Sequence, residues 1–417
     1  MKKIFIKKSF NIFNIILFLL ILSSSMVVLV IDGKSLFLYV SVLYIFFGIV
    51  YAKKFKLIDD VSVYLVFFIY MLSMVTCVFS NIAYSYKYAC VRATIIMMLV
   101  FAVLHFVNYH IYSKDNVGEI IVKAVKIMCA MHIFWSLLAF FAFKLFGWDL
   151  NQKIFADILG LLESASQYKE GVLQPSGLSW HSSTLAPILT LSYFLFDRIE
   201  MKLLSVVVAV ICGNATALIG ICICVFFDIS YTVIKRKPLS KKIMKLLVIL
   251  LIIAILSLVL TGYYKNIIDK VVYILQRMSG NSDDSSAYAH IRYYWSYPQV
   301  VKLSSTFQVL FGYGKGCSGF PIGELFGQYR HLGNWSVESD IMDILISEGI
   351  VGFVIFYYFL FKIINKGRKI DIRYSFVVIV WILEGITYNI QFEWFIFIEV
   401  VFLLLIKKGY NIFQKNN

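Results

Sequence analysis

Apolar stretches of about twenty residues recur along the whole chain, and this repetition limits the fold more than any other feature. An α-helix of about 20 apolar residues crosses a bilayer core and satisfies its own backbone hydrogen bonds. Hydrophobic residues make up 60% of the 417 residues and charged residues only 15%, whereas typical soluble domains contain about a quarter charged residues. The sequence therefore predicts an all-α, polytopic membrane protein that forms a single integral membrane domain, residues 1–417.

Apolar runs with the composition of membrane helices can be counted along the chain, and about twelve are found. They lie at 10–31, 36–52, 61–80, 91–112, 119–147, 182–197, 203–213, 216–234, 244–262, 341–364, 374–389 and 392–406. The run 203–213 is too short to stand alone, yet basic loops flank the block 203–234 on both sides. We therefore predict a tight hairpin that turns at Gly213 and Asn214. The alternative is one long tilted helix across residues 203–234, which would place every later loop on the opposite side of the membrane.

The net charge of +15 is a feature of many nucleic-acid-binding proteins, but here its distribution indicates another cause. Basic residues cluster in short loops, for example at 53–56, 235–245 and 366–373. About two thirds of the 39 lysines and arginines fall in segments that the helix count places in the cytoplasm, as the positive-inside rule requires. The sequence thus predicts that both termini are cytoplasmic, that a lipid bilayer surrounds the chain and that no nucleic acid binds.

Two long hydrophilic segments are left on the extracytoplasmic side by this topology. They are a smaller loop at 148–181 and a large loop at 263–340, which is expected to carry short helices. A carrier needs no loop of this length between two spans, whereas an enzyme that works at the membrane surface often has one. We therefore expect the functional site on this face.

Seven cysteines are present, without a CxxC pair. Most of them fall inside predicted spans, and only Cys90 and Cys317 could face an oxidising compartment. The spacing does not match a metal-ligand motif, so the sequence predicts neither a metal site nor a disulfide.

The first candidate cluster is the segment 173–187, which leads into the span at 182–197. Ser182 or Ser183 could cap that helix, and Trp180 and His181 would lie at the membrane interface. The segment is either an ordinary helix start with an interfacial aromatic residue or a sugar-binding lip, in which Trp180 stacks on a pyranose ring.

The second cluster is the predicted hairpin tip, residues 213–217. A polar pair at a break between two short helices can present helix-terminal N–H groups to an anion. Plain turn chemistry is the alternative interpretation.

The third cluster lies in the large loop and combines His290, Arg292 and Trp295 with a glycine-rich segment around Gly314. Arginine can hold phosphate oxygens in a bidentate fork, and glycines allow a close backbone approach to a ligand. A GxGxG pattern without a strand–helix context is weak evidence for nucleotide binding, and an outward-facing site meets no cytoplasmic ATP or NAD. We expect substrate contacts here and no cofactor.

The fourth cluster stands where the large loop re-enters the membrane and contains Arg330, His331, Glu338 and Asp340. Glu338 could act as a general base, with Arg292 and Arg330 near a phosphate leaving group. Alternatively, Glu338 and Asp340 simply stabilise a helix N-terminus.

Three carboxylates are expected within the membrane, namely Glu348, Glu384 and Glu399. Ionisable groups at such positions are candidates for function. A transporter is therefore an alternative interpretation, although Glu348 and Glu384 could also line the floor of an outward-facing cavity.

The order of these motifs resembles the O-antigen polymerase and ligase superfamily over roughly residues 170–365. GLSWHSS is followed by a short polar-tipped hairpin, an arginine and a tryptophan ahead of LFGYGKG, and then ESDIMDILISEGIVGF. The resemblance implies a metal-independent glycosyltransferase, without a cofactor, on the outer face of a bacterial inner membrane. Its substrate would be an undecaprenyl-pyrophosphate-linked oligosaccharide, and a chain-length regulator protein would be a further partner.

The same resemblance implies roles for particular residues. Arg292 and Arg330 would bind the phosphates, whereas two arginines of many relatives are missing, one before the turn at Gln174 and one at Asn214. Ligases of the superfamily carry a histidine near the helix that starts at 341; here Glu338 is nearest, which favours a polymerase. A ligase and a lipid-linked oligosaccharide flippase stay open as alternatives.

Overall fold

The computed structural model describes a bundle of helices. It covers residues 2–26, 29–31, 34–52, 55–113, 117–160, 167–169, 171–179, 181–234, 285–326 and 337–413. The described α-helices, numbered in chain order, are α1 (Lys2–Ser24), α2 (Leu36–Phe47), α3 (Val61–Phe79), α4 (Tyr84–Ser113), α5 (Val117–Phe146), α6 (Ser182–Leu195), α7 (Ile199–Ile211), α8 (Ala215–Ile234), α9 (Ser285–Leu303), α10 (Thr306–Phe311), α11 (Gly319–Phe326), α12 (Asp340–Ser347), α13 (Gly349–Gly367), α14 (Ile372–Thr387) and α15 (Glu393–Lys408).

Two π-helical turns and two short antiparallel hairpins complete the described elements. One π-helical turn, Gly48–Ala52, continues α2, and the other, Gln152–Ile158, follows α5. β1 (Val30–Ile31) pairs with β2 (Lys34–Ser35). β3 (Gln167–Lys169) pairs with β4 (Val172–Gln174), with Tyr168 opposite Leu173. This second hairpin belongs to the smaller predicted loop at 148–181.

Among the described residues, five helices are long and apolar enough to cross a membrane, which confirms the all-α fold class and the membrane character of the chain. They are α3, α4, α5, α8 and α13. Helices also occupy the other predicted spans, except that the span at 244–262 lies outside the described residues. The total of about twelve crossings and their orientation remain predictions.

Two helices are enclosed by the rest of the bundle. Every residue of α6 is buried, and so is every residue of 394–406 in α15. A helix that is hydrophobic on all sides packs within protein or lipid, and these two pack within protein. α6 contacts α5, α7, α8 and α14.

One end of the bundle is tied together by the buried carboxylate of Asp60. Asp60 caps α3 by accepting the N–H of Ser62 at 3.1 Å. Lys362, near the end of α13, lies 2.5 Å from Asp60 Oδ1. Lys366 of α13 and Lys407 of α15 each lie 3.3 Å from Oδ2. Burial opposes ionisation, but these lysines outweigh it and lower the pKa of Asp60. The topology predicted from the distribution of basic residues puts this end in the cytoplasm.

The opposite end lies about 28 Å away along α3, which has 19 residues with a rise of about 1.5 Å each. Ser80, directly after α3, accepts a hydrogen bond from the amide of Gln308 in α10 at 3.2 Å. The helices of the predicted large loop are therefore attached at this end, opposite the Asp60 cluster.

The predicted span 341–364 does not form one helix. It divides at Glu348 into α12 and α13, and Gly349 has a positive φ of +72°. The last carbonyls of a helix have no partner within it, and here the glycine-rich segment supplies one. The N–H of Tyr313 donates to Ile346 O and that of Gly314 to Ser347 O, both at 2.8 Å. Two of the carbonyls at the break thereby have hydrogen-bond partners.

We predict that Gly312 is essential to this contact, whereas Gly316 is not. Both have positive φ, +82° and +79°, so alanine is strained at either, and Gly312, with a ψ of −178°, has a conformation that is essentially restricted to glycine. A methyl group at Gly312 would also overlap the backbone carbonyl of Ser347, whereas one at Gly316 meets nothing within 4 Å. Gly312→Ala should therefore lower the melting temperature of the detergent-purified protein well below that of Gly316→Ala. Equal melting temperatures would contradict the proposed packing.

Candidate functional site

The turn between α14 and α15, residues 388–392, is the point at which the candidate segments meet. Its backbone and side chains contact His181 at the N-cap of α6, Asp340 of α12 and Glu338 before α12. The sequence-based spans leave only two residues between these helices, so the turn was not singled out. The signal that could have found it is the polar character of Asn389 and Gln391 between two apolar runs.

Asp340, at the start of α12, forms hydrogen bonds with the backbone of this turn. Its Oδ1 accepts the backbone N–H of Ile390 at 2.8 Å and that of Gln391 at 3.0 Å. The side chain is almost fully buried. Asp340 therefore satisfies the N–H groups of a distant segment, and it supports the site as a positioning residue rather than as an open substrate ligand.

His181 lies against the turn from the start of α6. Its ring stacks on that of Tyr388, with centroids 5.0 Å apart and planes 21° apart. Our expectation that Ser182 or Ser183 caps α6 is wrong, because His181 is the N-cap: its Nδ1 accepts the N–H of Ser183 at 3.0 Å. Burial lowers the pKa of His181 to about 4. The ring is therefore neutral at pH 7, and since Nδ1 is an acceptor, its proton is on Nε2.

Glu338 approaches the same tyrosine from the segment before α12. It is half-buried and interacts electrostatically with Tyr388. His181 and Glu338, which the sequence treats as parts of two separate clusters, are thus both neighbours of one residue of the turn.

Helix α9, which carries His290, Arg292 and Trp295 of the third cluster, contacts the last turn of α14 next to this turn. The hydroxyl of Tyr294 donates to Ile386 O at 2.9 Å and lies 2.8 Å from the hydroxyl of Ser339. Ser339 directly follows Glu338 in the chain. Because positions 290, 292 and 295 lie within one turn or so of Tyr294 on α9, the backbone of His290, Arg292 and Trp295 is held at the same end of the bundle as Glu338.

Trp180, Arg330 and His331 lie outside the described residues. Their predicted roles as a sugar-stacking tryptophan, a phosphate ligand and a substrate contact therefore stay predictions.

The hairpin tip is joined to the start of α6 by Asn214. Its Oδ1 accepts the N–H of Thr216 at 2.8 Å and that of Ala217 at 3.4 Å, which caps α8. Its amide group donates to Ser182 and Ser183 at 3.2 and 2.6 Å. The N–H groups at the start of α8 that could bind an anion are thus already bonded to the Asn214 side chain. This favours an ordinary capped turn over an anion site. The turn itself lies where it was predicted, with Gly213 at a φ of +62°.

The backbone at Gly314 lies close to other parts of the protein and not beside an open ligand site. It has a φ of +98°, and a methyl group there would overlap the side chains of Cys77 and Cys90. The glycine therefore allows the loop after α10 to pack on α3 and α4.

A buried ion pair next to this loop was missed by the sequence analysis. Lys315 Nζ lies 3.3 Å from Asp343 Oδ2, and the Asp343 side chain is completely buried. Ser318 donates to the other oxygen of Asp343 and accepts the N–H of Val337 at 2.9 Å. Burial alone would lower the pKa of Lys315, but the carboxylates of Asp343 and Glu348 outweigh it and raise that pKa. The pair secures the loop on α12.

The three carboxylates expected within the membrane are all buried. Glu384 accepts a hydrogen bond from Thr190 at 2.7 Å, and Glu399 accepts one from the amide of Gln391 at 3.2 Å. Glu399 is thereby connected to the α14–α15 turn. Within the described residues, neither oxygen of Glu348 has a hydrogen-bond partner, although Lys315 interacts with it electrostatically.

No protein-family model matches this sequence, and no curated protein matches it significantly. The functional assignment therefore depends on the geometry of the site and on the motif order described above.

The buried, neutral His181 predicts a dependence of stability on pH. Its pKa is about 4 in the folded protein and about 6.5 in an unfolded chain. As the pH falls from 6.5 to 4, only the unfolded chain gains the proton, so the free energy of unfolding decreases by up to about 1.4 kcal/mol per pH unit. His181→Asn keeps a capping acceptor but cannot be protonated. Its melting temperature should fall less steeply with acidification; an unchanged slope would contradict the prediction.

Proposed function

We propose that the protein polymerises lipid-linked oligosaccharide repeat units on the extracytoplasmic face of a bacterial inner membrane. The growing glycan would move from undecaprenyl pyrophosphate to a sugar hydroxyl of the next repeat unit. The observation that carries this proposal is that His181 and Glu338 both neighbour Tyr388 of the α14–α15 turn, while Tyr294 of α9 bonds Ile386 in the last turn of α14 beside it; α9 bears Arg292 two positions before Tyr294.

Glu338 is the base in this reaction. Its carboxylate takes the proton of the acceptor hydroxyl while that oxygen forms a bond to the anomeric carbon of the growing glycan. The bond between that carbon and the pyrophosphate oxygen breaks, and undecaprenyl pyrophosphate leaves with the bonding electron pair. A positioned base contributes roughly 10²–10⁴-fold to such a rate. The half-buried position of Glu338 leaves it open to a substrate at the end of the bundle.

Arg292 and Arg330 offset the charge that develops on the departing pyrophosphate. Guanidinium groups suit this task because they bind phosphate oxygens in a bidentate manner and stay charged. His181 contributes an uncharged ring whose Nε2–H can donate to a sugar hydroxyl. Trp180, His290, Trp295 and His331 complete the proposed set of substrate contacts.

An apolar cavity at the same end of the bundle suits the lipid part of such a substrate. It has a volume of about 710 Å³ and lies between the end of α3 and helix α10, with Leu72, Val75, Phe79, Phe307 and Phe311 among its lining residues. Ligand pockets commonly measure about 300–1,000 Å³ and are lined mainly by apolar side chains. The cavity could receive a segment of a polyprenyl chain.

Substitution of the two central residues tests the polymerase. Glu338→Ala and Arg292→Ala should reduce polymer formation by at least about 100-fold, so that cells accumulate single repeat units. Lys302→Ala on the same helix and Glu324→Gln on α11 are matched controls at exposed positions and should retain the normal ladder of polymer lengths. Immunoblots of membrane fractions verify insertion. Normal polymer in both site variants would refute the proposed site.

A ligase is distinguished by its need for another acceptor. Purified lipid-linked repeat units, supplied alone to the reconstituted protein, should be extended by a polymerase and left unchanged by a ligase. Extension followed by gel electrophoresis therefore decides between the two.

A flippase is the second candidate, and the buried carboxylates Glu384 and Glu399 favour it. If the protein moves lipid-linked oligosaccharide across the membrane, Glu399→Gln should abolish transport into the outer leaflet, whereas Arg292→Ala should spare it. If it is a polymerase, vesicles with either variant should show no change in transport. The measurement is the access of a membrane-impermeant glycosidase to the labelled lipid.

A further inference from the structure

Three cysteine side chains from distant parts of the chain meet at the end of the bundle that bears the candidate site. Cys77 is in the last turn of α3, Cys90 is in the second turn of α4, and Cys317 lies between α10 and α11. Their sulfur atoms all lie within 4.8 Å of one another, and all three side chains are buried. Cys77 and Cys317, which are 240 positions apart, have their sulfur atoms 4.0 Å apart.

The conformation of the loop that carries Cys317 brings its thiol close to those of Cys77 and Cys90. Gly314, with its positive φ, lets the loop lie directly on the side chains of Cys77 and Cys90, where any larger residue would overlap them. The N–H of Cys317 donates to Gly314 O at 3.0 Å, and that of Gly314 donates to Ser347 O at 2.8 Å. The thiols are therefore brought together by a folded loop with its own hydrogen bonds.

The sulfur separations suit a metal ion better than a disulfide. A disulfide requires about 2.05 Å between two sulfur atoms and leaves one of three thiols over. Metal–thiolate bonds of about 2.3 Å, arranged as a planar triangle, hold the sulfur atoms about 4.0 Å apart, which is the distance between Cys77 and Cys317.

The ligand set also limits the kind of ion. Structural zinc is bound by four ligands, whereas the group found in the described residues contains three cysteines and no histidine or carboxylate. Thiolates without other ligands favour soft ions such as copper(I). Lys87 interacts electrostatically with Cys77 and offsets part of the negative charge of the thiolates.

We propose that Cys77, Cys90 and Cys317 bind one soft monovalent cation of the copper(I) class. Binding forms three metal–sulfur bonds and releases the protons of the thiols to solvent, and it involves no change of oxidation state. The ion would connect α3, α4 and the loop that packs on the break between α12 and α13. This site is independent of the proposed glycan transfer, and it revises our sequence-based expectation of no metal role.

Titration of the full-length, reduced protein in detergent with copper(I) tests the site. Competition against a chromogenic copper(I) chelator should give one tightly bound equivalent, and X-ray absorption should show three sulfur neighbours at about 2.3 Å. The melting temperature should rise on loading, because a ligand that binds only the folded state stabilises it. These measurements use the unaltered protein, so they do not depend on whether a variant folds.

Serine variants identify the ligands. Cys77→Ser, Cys90→Ser and Cys317→Ser should each lower copper(I) affinity by at least about tenfold, whereas the matched controls Cys222→Ser and Cys129→Ser should retain the full equivalent. Three results would overturn the proposal: no stoichiometric binding, equal binding by a variant that lacks all three cysteines, or a disulfide between two of them in protein isolated without reductant, as seen by mass spectrometry.

Discussion

The contact between the glycine-rich segment and the broken helix is the constraint on which the rest of this end of the protein depends. A helix that stops inside a bundle exposes carbonyls, and in an environment without water each unsatisfied group costs several kcal/mol. Here the N–H groups of Tyr313 and Gly314 meet the carbonyls of Ile346 and Ser347. The break can then be tolerated, and Asp340 at the start of α12 bonds the backbone of the α14–α15 turn.

The elements around this contact reinforce one another. Asp343 and Lys315 secure the loop on α12, while Asp340, at the start of the same short helix, secures the turn before α15. One eight-residue helix therefore connects the loop that bears Cys317 with the turn that bears Tyr388. A buried ion pair contributes modestly to stability, but removal of one partner leaves an uncompensated charge and is strongly destabilising.

The candidate site was predictable in its parts and not in its assembly. The motif residues His181, Glu338 and Arg292 could be chosen because polar residues at the ends of apolar runs lie at a membrane surface. Their common neighbour, Tyr388, could not be chosen, since nothing in the local sequence distinguishes it from other interfacial tyrosines. The same applies to the cysteines. Their spacing in the chain lacks a ligand motif, and they meet only because α3, α4 and the loop at 312–318 pack together.

The sequence by itself determined the class of protein and the positions of the helices, because membrane helices are local: each satisfies its own backbone and is recorded in a run of apolar residues. It also determined the turn at Gly213 and Asn214, where local chemistry is sufficient. Only the tertiary structure decided where the chain breaks at Glu348, that α6 and α15 are enclosed by protein, and that His181 and residues 338–340 meet at one turn. These features depend on contacts between residues far apart in the chain, and hydrophobicity, which is equally satisfied by lipid and by protein, does not specify such partners.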